Sequence, residues 1–112
     1  MRKELPEDIA ERLALAGPVL DALGPVIRQN IIMMFEPGEE VNIKSIADQF
    51  KLSRTAVVHH INSLVEAGIL RGRRVGKEVL LTLDLTVVAA AVETVENYVE
   101  KYGNPAGEVE IQ

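Results

Sequence analysis

Residues 52–70 read Leu52-Ser53-Arg54-Thr55-Ala56-Val57-Val58-His59-His60-Ile61-Asn62-Ser63-Leu64-Val65-Glu66-Ala67-Gly68-Ile69-Leu70. Ser53 suits an N-cap, because its hydroxyl oxygen can accept from an amide that the first helical turn leaves free. At about 100° per residue, Val57, Ile61 and Leu64 fall on one side with Val65 beside them, and this is the expected core face. Thr55, His59, Asn62 and Glu66 fall opposite. The helix is expected to run to Ala67 and stop at Gly68, which tolerates the left-handed conformation of a C′ residue. His60, on the flank of the core face, reads as a histidine satisfied by the fold.

Working outward, Asn42 suits the N-cap of a preceding helix with Ile43, Ile46, Ala47 and Phe50 on its apolar stripe, joined through Lys51-Leu52-Ser53. Beyond Gly68 the period changes from helical to alternating. Ile69 to Arg73 and Val79 to Leu83 read as two strands, connected through Arg74 to Glu78 with Gly76 permitting a tight turn. Residues 42–67 are thus a helix-turn-helix and residues 69–83 a wing. At the start, Pro6, Glu7 and Asp8 favour a helix carrying Ile9, Leu13 and Ala16, which Gly17-Pro18 is expected to break. A turn over Val19 to Leu23 and a second helix from Val26 to near Phe35 complete N-terminal helices over 5–35. Asp84 or Thr86 is expected to cap a last helix, 85–102, with Val88, Val92, Val95, Val99 and Tyr102 spaced by three or four. Residues 103–112 read as a flexible tail. The fold class is mainly α with a small β-hairpin: a winged helix-turn-helix of five or so helices, dimerising through its terminal helices.

The length of 112 residues suits one domain over 1–112, and 47% hydrophobic residues supply a core without covalent staples. The chain has no cysteine. That removes disulfides, thiolate metal sites and a cysteine nucleophile. The longest apolar stretches, such as Val87 to Val92, are too short to cross a bilayer, and the acidic start has no secretory pattern. A cytoplasmic protein with no membrane partner is expected. The formal charge of −5, taken whole, disfavours an anionic partner, but it is unevenly spread. Residues 44–78 hold Lys44, Lys51, Arg54, Arg71, Arg73, Arg74 and Lys77 against Asp48, Glu66 and Glu78, while both flanks are acidic. The cationic block coincides with the helix-turn-helix and wing.

In such an arrangement the second helix presents its first turns to base edges, while the first helix and the wing grip phosphates. Arg54, Thr55 and His59 are therefore the expected reading residues. Lys44, Ser45 and Ser53 are expected at phosphates, helped by free amides at the helix starts. In the wing, Arg73, Arg74 and Lys77 are the backbone or minor-groove candidates, and strand alternation can turn Arg71 aside. The valine seam of the last helix, with Ala89, Ala90 and Ala91 alongside, suits close approach across a two-fold axis with the first helix. Ile9, Leu13, Val88, Val92, Val95 and Val99 are the expected dimer interface. Two reading helices one turn of DNA apart imply a palindromic operator. Glu93, Glu96 and Glu100 read as a solvated face rather than a metal site.

The stretch from Leu52 to Leu70 resembles the recognition helix of the ArsR-type (arsenical-resistance) winged-helix repressors: leucine-serine at its start, paired histidines, a leucine, then acidic-alanine-glycine and an apolar pair. Arg71-Gly72-Arg73-Arg74-Val75-Gly76-Lys77 resembles the start of that family's wing, and Asn42 to Phe50 its preceding helix. The resemblance implies a homodimeric repressor of transcription. Three positions depart from it. Lys51 stands where the turn often has glycine, Val58 stands where serine often flanks the histidines, and the family's cysteine metal motif and last-helix histidine ligands are absent. Soft-metal sensing is disfavoured without thiolates, so no metal or cofactor is expected, and any effector is an unidentified small molecule or hard ion. The second reading is a winged-helix module that binds other proteins and reads no DNA. An enzyme is not expected, since the adjacent histidines lack a nucleophile or convergent carboxylates.

Overall fold

The computed structural model describes residues 1–103, so most of the expected tail, from 104 onward, lies outside the described residues. The order is α1 (Glu7–Ala22), α2 (Val26–Met33), β1 (Val41–Asn42), α3 (Ile43–Phe50), α4 (Arg54–Glu66), β2 (Leu70–Val75), β3 (Glu78–Leu83) and α5 (Thr86–Tyr102). No helix among the described residues is long and apolar enough to cross a membrane.

The caps at the centre of the chain act as their residue types dictate. Asn42 Oδ1 accepts from the Ser45 amide at 2.8 Å, and Ser53 Oγ from the Ala56 amide at 3.1 Å. Gly68 ends α4 at φ +80°, its amide bonded to the Val65 carbonyl and the Ile69 amide to the Leu64 carbonyl, the two bonds of a Schellman cap. Val57, Ile61 and Leu64 are buried as their spacing requires, against Ile31, Ile46, Ile69, Leu70 and Leu81. Val65, placed beside them in the helical projection, is exposed instead, because the core seam is only as wide as the elements it meets.

Strand order is β1-β3-β2, all antiparallel. Val75 pairs with Glu78 across the two-residue turn Gly76-Lys77, with Gly76 at φ +61°, the glycine-first pattern of a type II′ hairpin. β1 adds a third strand to the expected hairpin, pairing Val41 with Leu81 and Asn42 with Leu80. Two residues are too few for alternation to be read from sequence.

Two boundaries differ from expectation. α1 does not break at Gly17-Pro18 but runs on to Ala22 with Pro18 inside it. Pro18 has no amide for the Ala14 carbonyl, and Gly17 carries no Cβ to collide with the proline ring. Ala16, Val19 and Ala22 are buried on the continuing face, so packing outweighs the lost hydrogen bond. At the start of α5, Leu85 occupies the cap position, and Asp84 Oδ1 accepts from both the Thr86 amide (3.0 Å) and its hydroxyl (2.6 Å). α1 and α5 lie antiparallel, tied at one end by Lys101 and Tyr102 donating to Asp8.

Candidate nucleic-acid interface

Every expected DNA-contacting side chain, Lys44, Ser45, Ser53, Arg54, Thr55, His59, Arg73, Arg74 and Lys77, is exposed. Four of them meet. A cleft of about 380 Å³ is lined by Lys44 from α3, Arg54 from the first turn of α4, and Arg74 and Lys77 from the hairpin, with Asn42, Ile43, Glu78 and Val79 completing its wall. The caps that start α3 and α4 and the β3 pairing that carries the hairpin bring these four cations together from separate elements. Glu78 on the cleft wall accepts from the Asn42 side-chain amide at 3.2 Å and forms no ion pair with the four cations among the described residues.

Strand alternation sorts the wing arginines. Gly72 and Arg74 follow the core-facing side of β2, opposite Leu81 and Val79, so Arg74 emerges where the core ends and joins the cleft. Arg71 and Arg73 take the other face. Arg71 pairs with Asp84 at 2.6 Å, so it is turned aside as alternation allows. Arg73 is not delivered to the cleft: its Nε and Nη2 donate to the two carboxylate oxygens of Glu40, at 2.6 and 2.9 Å. That fork-to-fork pair holds the Glu40 carboxyl below its ordinary pKa and raises the Arg73 guanidinium above its own. Lys44 is also shared, with Asp48 at 2.8 Å one turn along α3, an exposed pair that raises the lysine pKa. Glu40 and Asp48 were legible as acids near the block, but which cation each would neutralise depends on the three-stranded sheet and the helix face.

The free amides expected at the helix starts are partly spent. The Ser45 amide is taken by Asn42 and the Ala56 amide by Ser53, so an anion at α3 meets only the amides before Ser45. Ser53 keeps a hydroxyl proton to donate. Thr55 and His59 share the outer face of α4 with Asn62, clear of the core. His60 is satisfied within the fold: its Nδ1 accepts from Arg28 Nε at 3.1 Å. Burial, then the Arg28 charge and His59, pushes the His60 pKa below its ordinary value.

At the other end, the expected interface residues divide. Ile9 is 3% exposed and belongs to the chain's own core, and Leu13 and Val88 are half-buried. Val92, Val95 and Val99 stand exposed along one side of α5, with Leu15 exposed on α1. Glu93, Glu96 and Glu100 are exposed, in keeping with a solvated face.

Residues 26–71, from α2 to the start of β2, match the family model described as "Bacterial regulatory protein, arsR family". The chain is 26% identical over 86 residues to the transcriptional repressor SdpR of Bacillus subtilis (strain 168), covering 77% of this chain and 94% of that protein. Among solved structures, an ArsR-like transcriptional regulator from Rhodococcus sp. RHA1 superposes with a TM-score of 0.71 at 22% identity, over 83% of this chain and 87% of that one. A homodimeric winged helix-turn-helix DNA-binding domain from Mycobacterium bovis superposes with a TM-score of 0.64 at 17% identity, over 97% of this chain and all of the other. The matched segment contains α3 and α4, which supply Lys44 and Arg54 to the cationic cleft, and the glycine cap before the wing, while Arg74 and Lys77 of the hairpin lie beyond it. The fold is thus that of a winged helix-turn-helix protein, and residues 26–71 carry a likeness to the arsR family of bacterial regulatory proteins.

Proposed function

We propose that the protein is a sequence-specific DNA-binding regulator of transcription, acting as a homodimeric repressor on a palindromic operator in the cytoplasm, without a thiolate metal sensor. The observation that carries this reading is the convergence of Lys44, Arg54, Arg74 and Lys77 on one cleft at the first turn of an exposed helix. Cations from three elements around a helix start are what a phosphate backbone on either side of a major groove requires. Arg54 and Thr55 sit where the first turn of α4 meets base edges, with His59 one turn on. Ser53 and Lys44 sit at the flanking backbone. Arg74 and Lys77 reach along the duplex from the wing. Ser45 and Arg73 stand behind this line, the first with its amide capped and the second clamped by Glu40.

Kinship with a protein named as a transcriptional repressor supports repression, and likeness to a homodimeric DNA-binding domain supports the dimer. In the proposed dimer the exposed Val92, Val95 and Val99 of α5 meet their counterparts, with Leu13 and Val88 at the margin and Ile9 backing the seam from inside the protomer. The four-cation cleft at a helix start favours this reading over the alternative module that only binds proteins. Selection of duplexes from a randomised library tests the reading. Recovered sequences should share two inverted half-sites about one helical turn apart, roughly 10 base pairs. Recovery of no common sequence by an intact, folded protein contradicts it.

A further inference from the structure

Arg28 is only 9% exposed, yet among the described residues no carboxylate forms an ion pair with it. A guanidinium cannot shed its proton, so its burial must be met by hydrogen-bond acceptors. Two are present. Its Nη1 reaches the Ala22 carbonyl at the end of α1, at 3.5 Å, and its Nε donates to His60 Nδ1 at 3.1 Å. The second is the one side-chain hydrogen bond that joins α2 to α4 among the described residues. It is made to the helix that carries Arg54, Thr55 and His59, from the inner flank of that helix.

The chemistry of this bond is conditional. Nδ1 accepts only while it carries no proton, which makes the neutral ring the Nε2–H tautomer. With a second proton, Nδ1 becomes a donor facing a donor, and two cations face each other over about 3 Å in a site where burial disfavours both. Among the described residues no carboxylate forms an ion pair with either member. His59 is the neighbouring ring, at 5.5 Å between centroids, and Asp21 of α1 and Glu66 of α4 share the adjoining cleft with Arg28 without pairing to it.

We propose that His60 is the positioning residue of the reading helix: unprotonated, it seats α4 on Arg28 and aims Arg54, Thr55 and His59 at DNA, and protonation releases that seat. The inference rests on the DNA-binding reading above. It assigns the paired histidines different roles. His59 faces outward from α4, while His60 faces Arg28 from the inner flank of the same helix. A protonated His60 makes binding weaker.

The test is fluorescence anisotropy on a selected duplex at several pH values, across the range where circular dichroism shows unchanged helix. Wild-type affinity should fall by about three- to tenfold from roughly pH 7.5 to roughly pH 5.5. His60→Asn places a carbonyl oxygen near the position of Nδ1 and does not titrate. It should bind within about threefold of wild type at the higher pH and lose the acid fall. Histidine titration by NMR on the free protein supplies a readout independent of DNA and of the variant's folding. His60 should be the Nε2–H tautomer and titrate below the ordinary 6.5. A midpoint at or above that value, or one pH profile shared by wild type and His60→Asn, overturns the proposal. Binding at the higher pH without an acid fall overturns this proposal alone, whereas no binding at any pH overturns the DNA-binding reading and this one with it.

Discussion

Lys51 stands at φ 53° and ψ 40°, the one non-glycine residue with positive φ among those described. A side chain there brings Cβ close to the following carbonyl, at a cost of about 1–2 kcal/mol, and the turn between α3 and α4 accepts it because the Leu52 amide then reaches the Ala47 carbonyl at 3.2 Å. Lys51→Gly should raise stability by roughly 0.5–1 kcal/mol, less than the full strain because glycine also loosens the unfolded chain. Chemical denaturation with an unchanged m-value checks this. In the proposed complex Arg54 acts at the same scale. Arg54→Ala should cost about tenfold or more on the selected site and much less on unrelated duplex, read by competition binding. The position of Lys51 in the turn was legible from the caps at Asn42 and Ser53 and the glycine that turn often carries. The partner of His60 was not, since Arg28 lies 32 residues away and reads in sequence as an ordinary surface charge.

At the scale of elements, the hairpin shows where local pattern suffices and where it stops. Alternation and Gly76 define β2, β3 and their turn, so the wing was readable from residues 69–83. The two-residue β1 was not, and with it went the placement of Glu40, which precedes β1 and reaches across to Arg73. In the proposed complex Glu40 therefore competes with phosphate for a wing cation. Glu40→Gln should release Arg73, strengthen binding to all duplexes, and steepen the slope of log K against log salt by about 0.9 for each arginine that gains a phosphate. An unchanged slope shows that Arg73 has no phosphate within reach. The unbroken α1 is the opposite case. Gly17-Pro18 carries a strong local stop signal, but the burial of Ala16, Val19 and Ala22 overrides it, as only the assembled core could reveal.

For the whole molecule, the total of −5 describes two acidic flanks around a cationic centre more than it describes the DNA-facing surface. The fold sharpens this further, because Asp48, Asp84 and Glu40 neutralise Lys44, Arg71 and Arg73 in pairs. In the proposed complex, attraction then rests on Arg54, Arg74 and Lys77, with Lys44 at the edge of the same cleft. There the acidic flanks would repel DNA elsewhere and orient the cleft toward it. The valine stripe has a similar whole-molecule meaning: Val99 is 59% exposed in one protomer, apolar area that a second copy would cover. Val92→Glu should leave the fold intact and give a monomer in sedimentation velocity at micromolar concentration, where wild type should sediment as the proposed dimer. The central claim, that this face binds duplex DNA, is tested most directly by anisotropy titration of a selected duplex across a series of salt concentrations, wild type against Arg74→Ala. Binding should weaken linearly in log salt, with a slope shallower by about 0.9 for each arginine removed in the variant. Tight binding insensitive to salt, or none at low salt by a folded dimer, contradicts it.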